Sequence, residues 1–99
     1  GTLVGIGATL SLRESKLTIV ELVPDGPAAR GGLRVGDVLL AIDGESALHM
    51  PVREATRRIR GDEGTEVVLK VSRDGAEPEL RLRRAPIVVD NVRYEVLAG

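Results

Sequence analysis

Cysteine is absent from this chain, and with it every disulfide, thiol nucleophile and thiolate metal site. Phenylalanine and tryptophan are absent too, leaving Tyr94 as the single aromatic residue. Base-stacking platforms are therefore missing, and a net charge of −1 denies the chain the dense basic face that duplex nucleic acid requires. The single histidine, His49, stands between Leu48 and Met50, and no ligand cluster for a metal surrounds it. Ser11, Ser15, Ser46 and Ser72 lack a glycine elbow or a basic partner nearby, so no catalytic residue is expected. No apolar run approaches the roughly 20 residues of a membrane span and no secretory leader opens the sequence. The reading thus far excludes a cofactor, a metal, nucleic acid and membrane insertion by this segment.

What is present is aliphatic. Hydrophobic residues make up 42% of the 99 and charged residues 29%, with acids and bases interspersed, which suits one globular domain. A core of Val, Leu, Ile and Ala favours strands and small helices. Residues 8–12 alternate as Ala-Thr-Leu-Ser-Leu, a strand with one buried face, and residues 17–23 form its partner across a polar turn. Pro24-Asp25-Gly26-Pro27 stops that partner, and Pro27-Ala28-Ala29-Arg30 before Gly31-Gly32 reads as a short helix. Residues 38–42 are apolar throughout, which predicts a central strand, and Asp43-Gly44 ends it in a turn. Asp37 and Asp43 are expected to bond neighbouring amides within their turns.

Between residues 51 and 60, the spacing of Val52, Ala55, Thr56 and Ile59 predicts one apolar stripe along a helix, with Arg53, Arg57 and Arg60 opposite and Gly61 as its C-terminal stop. Val67, Leu69 and Val71 then alternate along a strand, and Leu80 and Leu82 along its return partner. The order is strand, strand, short helix, strand, longer helix, strand, strand. It predicts an α+β, mainly β fold: a partly open antiparallel barrel or sandwich capped by two helices.

Gly5-Ile6-Gly7-Ala8, leading straight into the first strand, is the one segment that points to a ligand. Its glycines allow successive backbone amides to turn inward on an anion such as a carboxylate. No strand precedes it and no third glycine follows, so it is not a dinucleotide fingerprint. Alone it reads first as an ordinary glycine-rich turn.

Gly5-Ile6-Gly7-Ala8-x-Leu10, the continuous stretch from Gly26 through Gly44, and Ile59-Arg60-Gly61-Asp62-Glu63-Gly64-Thr65-Glu66-Val67 together closely resemble a bacterial PDZ domain. The Ile59-Arg60-Gly61 ending and the segment Arg84-Ala85-Pro86-Ile87-Val88-Val89 resemble more narrowly the carboxy-terminal processing, or tail-specific, proteases. The resemblance covers nearly the whole chain, and it implies the permuted strand order of bacterial members. It implies a domain over residues 1–84, with residues 85–99 leading toward a Ser/Lys protease core that this chain does not contain.

The resemblance also implies a site. Gly5, Ile6, Gly7 and Ala8 would hold the terminal carboxylate of a bound protein chain through backbone N–H groups. The guest would lie as an added strand along Ala8, Thr9, Leu10, Ser11 and Leu12, with Val52, Thr56 and Ile59 of the longer helix on its other side. Many family members carry Phe where Ala8 stands, so a roomy pocket for an apolar terminal residue is expected. Val52 stands where a histidine often selects a hydroxyl, which points to an apolar third residue from the end. The implied partners are a C-terminal peptide and a protease domain in cis, in an extracytoplasmic compartment, the isolated domain being monomeric. A module for assembly with a partner subunit, using the apolar residues 87–96 at a sheet edge, is the alternative. Val88, Val92, Tyr94 and Val96 are candidate strand positions there.

Overall fold

The computed structural model describes residues 2–88, so the expectation placed on Val92, Tyr94 and Val96 lies outside the described residues. Ten elements follow in order: β1 (Thr2–Gly5), β2 (Ala8–Arg13), β3 (Lys16–Leu22), α1 (Pro27–Arg30), β4 (Val38–Ile42), β5 (Glu45–Ser46), α2 (Val52–Ile59), β6 (Glu66–Ser72), β7 (Glu79–Arg83) and β8 (Ala85–Val88). The expected mainly β fold with two helices is what the chain adopts.

Local chemistry accounts for the hairpin of β2 and β3. Glu14 and Ser15 both take positive φ, 52° and 64°, the paired left-handed geometry of a type I′ turn. That turn closes the pair Arg13↔Lys16 and sets a register running to Ala8↔Leu22. Val20 is an extra residue in β3, because Thr9 pairs with Glu21 and Leu10 with Ile19.

The main sheet runs β2-β3-β4-β6-β7, with β5 paired to β4. The all-apolar β4 lies in its middle, as its lack of alternation predicts. Leu10, Ile19, Leu39, Val67, Leu69, Val71 and Leu82 meet on the inner face, and Ala28 of α1 and Ala55 and Ile59 of α2 close over them. Gly31, just after α1, lies where a side chain would collide with Leu82, so the short helix packs directly on β7. Among the described residues no helix is long and apolar enough to cross a membrane.

Sequence reasoning did not foresee β1, β5 or the partner of β8. Ala85–Val88 pairs antiparallel with Thr2–Gly5 from Gly5↔Ala85 to Thr2↔Val88, a two-stranded ribbon at the edge of the barrel. Ile87 on this ribbon is buried. Residues 85–88, beyond the boundary expected after Arg84, pair with the first strand.

Two turns differ from expectation in detail. Asp37 does accept the nearby Arg34 N–H at 2.9 Å, but it also holds Arg73 from β6's end, at 2.8 Å from Nε and 2.6 Å from Nη2. Asp43 reaches across the sheet instead and accepts the Val68 N–H at 2.8 Å. Gly61 is not a left-handed stop, for it is missing from the positive-φ glycines. It is needed for space: a Cβ there would stand 2.7 Å from Nε of Arg84.

Candidate functional site

The backbone from Ile6 to Leu12 is held from one side. Ile6 C=O accepts from Ala28 N–H at 2.8 Å, and Gly7 C=O accepts from Val23 N–H at 2.9 Å. Both peptide bonds are trans, so the following N–H groups, of Gly7 and Ala8, point the opposite way. Among the described residues no main-chain acceptor takes the N–H of Ile6 or Gly7. Gly7 makes this possible by its φ of +76°, and a Cβ at that position would press on Val23 at 3.2 Å.

The same alternation continues along β2. The Gly7 carbonyl and both main-chain groups of the hairpin-closing Arg13 turn toward β3, so those of Ala8, Leu10 and Leu12 face outward. β2 ends the sheet and has β3 as its one strand neighbour among the described residues. Those three residues therefore present a ladder without a partner strand there, beginning next to the amides at Gly7.

Side chains sort by the register. Ala8, Leu10 and Leu12 share the face of Leu22, Ile19 and Leu17, while Thr9 and Ser11 share the other face with Glu21 and Thr18. The inner row meets α2. Val52 at the helix start is half-buried, and Ala55, Thr56 and Ile59 are buried. The expected stripe thus faces the expected strand.

Ile6, Ala8, Leu10 and Ile59 each have 0% exposure, so solvent does not reach the lining expected for a guest side chain. The hydroxyls of Thr9 and Thr56 are buried and meet no hydrogen-bond partner among the described residues.

α2 is secured at both ends by interactions that sequence reasoning missed. Glu54 binds Arg57 and Arg58, and Arg58 also binds Glu45 on β5 at 2.6 Å. The hydrogen bond from Arg57, and then that from Arg58, holds the Glu54 carboxyl down to about 2. At the far end Arg84, itself 9% exposed, donates to the carbonyls of Ile59 and Arg58 at 2.7 and 3.2 Å. It donates further to Thr65 Oγ1 and Glu66 C=O, so a guanidinium rather than a glycine caps the helix. His49 is exposed in the loop before α2. Among the described residues no group of three or more His, Cys, Asp or Glu could hold a metal.

Residues 18–73 match the PDZ domain family. A probable CtpA-like serine protease of Staphylococcus haemolyticus is 34% identical over 95 residues, which is 96% of this chain but 19% of that protein. A Staphylococcus aureus protein of the same description is 33% identical over the same span. The chain thus spans about a fifth of the curated relatives it matches. Among solved structures, the PDZ domain of the carboxy-terminal protease from Vibrio cholerae, in complex with peptide, superposes with a TM-score of 0.80 at 28% identity. It covers 90% of this chain and 100% of that one. The photosystem II D1 C-terminal processing protease shares the fold, with a TM-score of 0.82 at 22% identity over 91% of this chain and 25% of that one. The chain belongs to the PDZ domain family, in the branch whose curated relatives are named CtpA-like serine proteases.

Proposed function

We propose that this domain captures the carboxy terminus of a protein substrate as an extra strand on β2 and presents it to a Ser/Lys protease domain of the same polypeptide. The observation that carries the reading is the run of outward main-chain groups. The amides of Gly7 and Ala8 supply two donors for a carboxylate, and the edge at Ala8, Leu10 and Leu12, without a partner strand among the described residues, continues from them. The Vibrio cholerae relative, solved in complex with peptide, supports the same reading.

The terminal side chain enters between α2 and β2. Because Ile6, Ala8, Leu10 and Ile59 are out of reach of solvent, entry requires an opening step, and its energy is subtracted from the affinity. A short guest strand and this opening step together set a dissociation constant on the order of micromolar or weaker. Val52 offers no side-chain hydrogen bond, so the third residue from the guest's end is apolar. The catalysis belongs to the protease domain, in an extracytoplasmic compartment, and the domain by itself is a monomer.

Titration of the chain with one peptide in free-acid and C-terminally amidated forms tests this, followed by backbone amide shifts. The free acid moves the signals of Gly7 and Ala8 and binds at least about tenfold tighter, the loss expected when charge-assisted bonds to the carboxylate disappear. Equal binding of the two forms overturns carboxylate capture.

A further inference from the structure

Leu12 is 54% exposed, although it lies on the inner face of β2. Its cross-strand neighbour Leu17 is 3% exposed, and the residues before it in the same row, Leu10 and Ala8, are at 0%. The apolar row of the strand therefore runs past its cover. Lengths explain the overhang: the six residues of β2 extend about 20 Å, whereas the eight of α2 extend about 12 Å.

Three features meet at Leu12. Its backbone N–H and C=O face outward, as do those of Ala8 and Leu10. Its side chain continues the face that α2 covers at Ala8 and Leu10. No strand among the described residues pairs with it on the outer side. A guest strand antiparallel to β2, its carboxylate at Gly7 and Ala8, sets its last residue beside Ala8, its third from last beside Leu10 and its fifth from last beside Leu12. The two-residue period of strands puts those three guest side chains on one face.

We infer that Leu12 forms an outlying subsite that selects an apolar side chain at the fifth residue from the carboxy terminus of the bound peptide. The inference rests on the peptide-addition reading above and deepens it by naming a further requirement on the substrate. Unlike the covered positions, Leu12 is already exposed. It can therefore engage the guest before the terminal side chain enters.

The test uses the chain Gly1–Gly99 and the peptide Gly-Ser-X-Ser-Val-Ser-Val, with X as Leu or Ser, each as free acid and as amide. With the free acids, X as Leu binds about three- to tenfold tighter than X as Ser, the gain expected from partly burying one leucine pair. In Leu12→Ser the advantage disappears, while the variant still prefers the free acid with X as Ser to its amide, which shows the carboxylate anchor intact. Equal binding of the two free acids by the parent chain overturns the subsite and leaves carboxylate capture standing, provided the amides bind weaker. An advantage for Leu that survives in Leu12→Ser overturns it also. Equal binding of acids and amides removes the carboxylate anchor that sets the register, and the subsite falls with it.

Discussion

Arg84 Nε donates to the Ile59 carbonyl at 2.7 Å, so the residue joining β7 to β8 closes the last turn of the helix beside the groove. Among the described residues its guanidinium reaches four acceptors and no carboxylate. The negative end of α2 and the neighbouring carbonyls take the place of a counter-ion.

Removing this cap destabilises the domain. Arg84→Met is expected to lower unfolding free energy by about 3 kcal/mol, since carbonyls accustomed to a charged donor lose it in a buried place. Arg84→Lys recovers less than half, because a point-like ammonium cannot serve all four acceptors. Gly61→Ala, whose Cβ would stand 2.7 Å from Nε, is expected to lose about 1–3 kcal/mol alone but much less in the Arg84→Met background. Urea midpoints of the four proteins check this, and additive losses refute the direct clash.

Acid weakens the fold through Asp37, which is 2% exposed. Burial works against its charge, but the Arg73 hydrogen bonds, the Arg34 N–H and the fields of both cations outweigh that and keep its carboxyl below the ordinary 3.8. The folded protein thus takes up this proton at lower pH than the unfolded chain does. The stabilisation is complete above about pH 5 and is lost as pH falls below about 4. Asp37→Asn is expected to lower stability near neutrality by about 3 kcal/mol and to flatten the acid limb, as a partly buried Arg73 loses its partner. Glu54 acts in the same direction, but it is solvent-facing and fades in high salt, so a limb that survives 1 M salt belongs to Asp37. Thermal unfolding between pH 2 and 7 at two salt concentrations reads both, and an unchanged limb in Asp37→Asn would contradict the assignment.

Thr56→Val raises stability. The variant keeps the β-branched shape and deletes a buried hydroxyl that has no partner among the described residues. The expected gain is about 1 kcal/mol, or a rise of about 4–8 °C in Tm for a domain of this size. A lower Tm would mean that the hydroxyl is satisfied in solution.

The parts of the fold readable in the residues are those dictated by near neighbours. Alternation along residues 8–12, Pro27 before two alanines, and Asp43-Gly44 after an apolar run each determine an element within a few positions. The stripe of Val52, Thr56 and Ile59 likewise announced the side of α2 that faces β2. What escaped depends on distance along the chain. The strands Thr2–Gly5 and Ala85–Val88 are short, and either becomes a strand only by meeting the other. Arg73 and Arg84 look like any other arginine in a strand-rich, charge-mixed sequence, and only the fold brings them to Asp37 and to the end of α2. The burial of Ile6, Ala8, Leu10 and Ile59 escaped for a different reason: a small residue such as Ala8 suggests a space, yet access to it is decided by packing between distant segments.

Thr2 and Val88 stand opposite each other in the ribbon, so segments far apart in the sequence are held side by side. Mechanically the two strands move as one: a pull on either acts on both, and Ile87, in contact range of Gly7, carries it to the mouth of the groove.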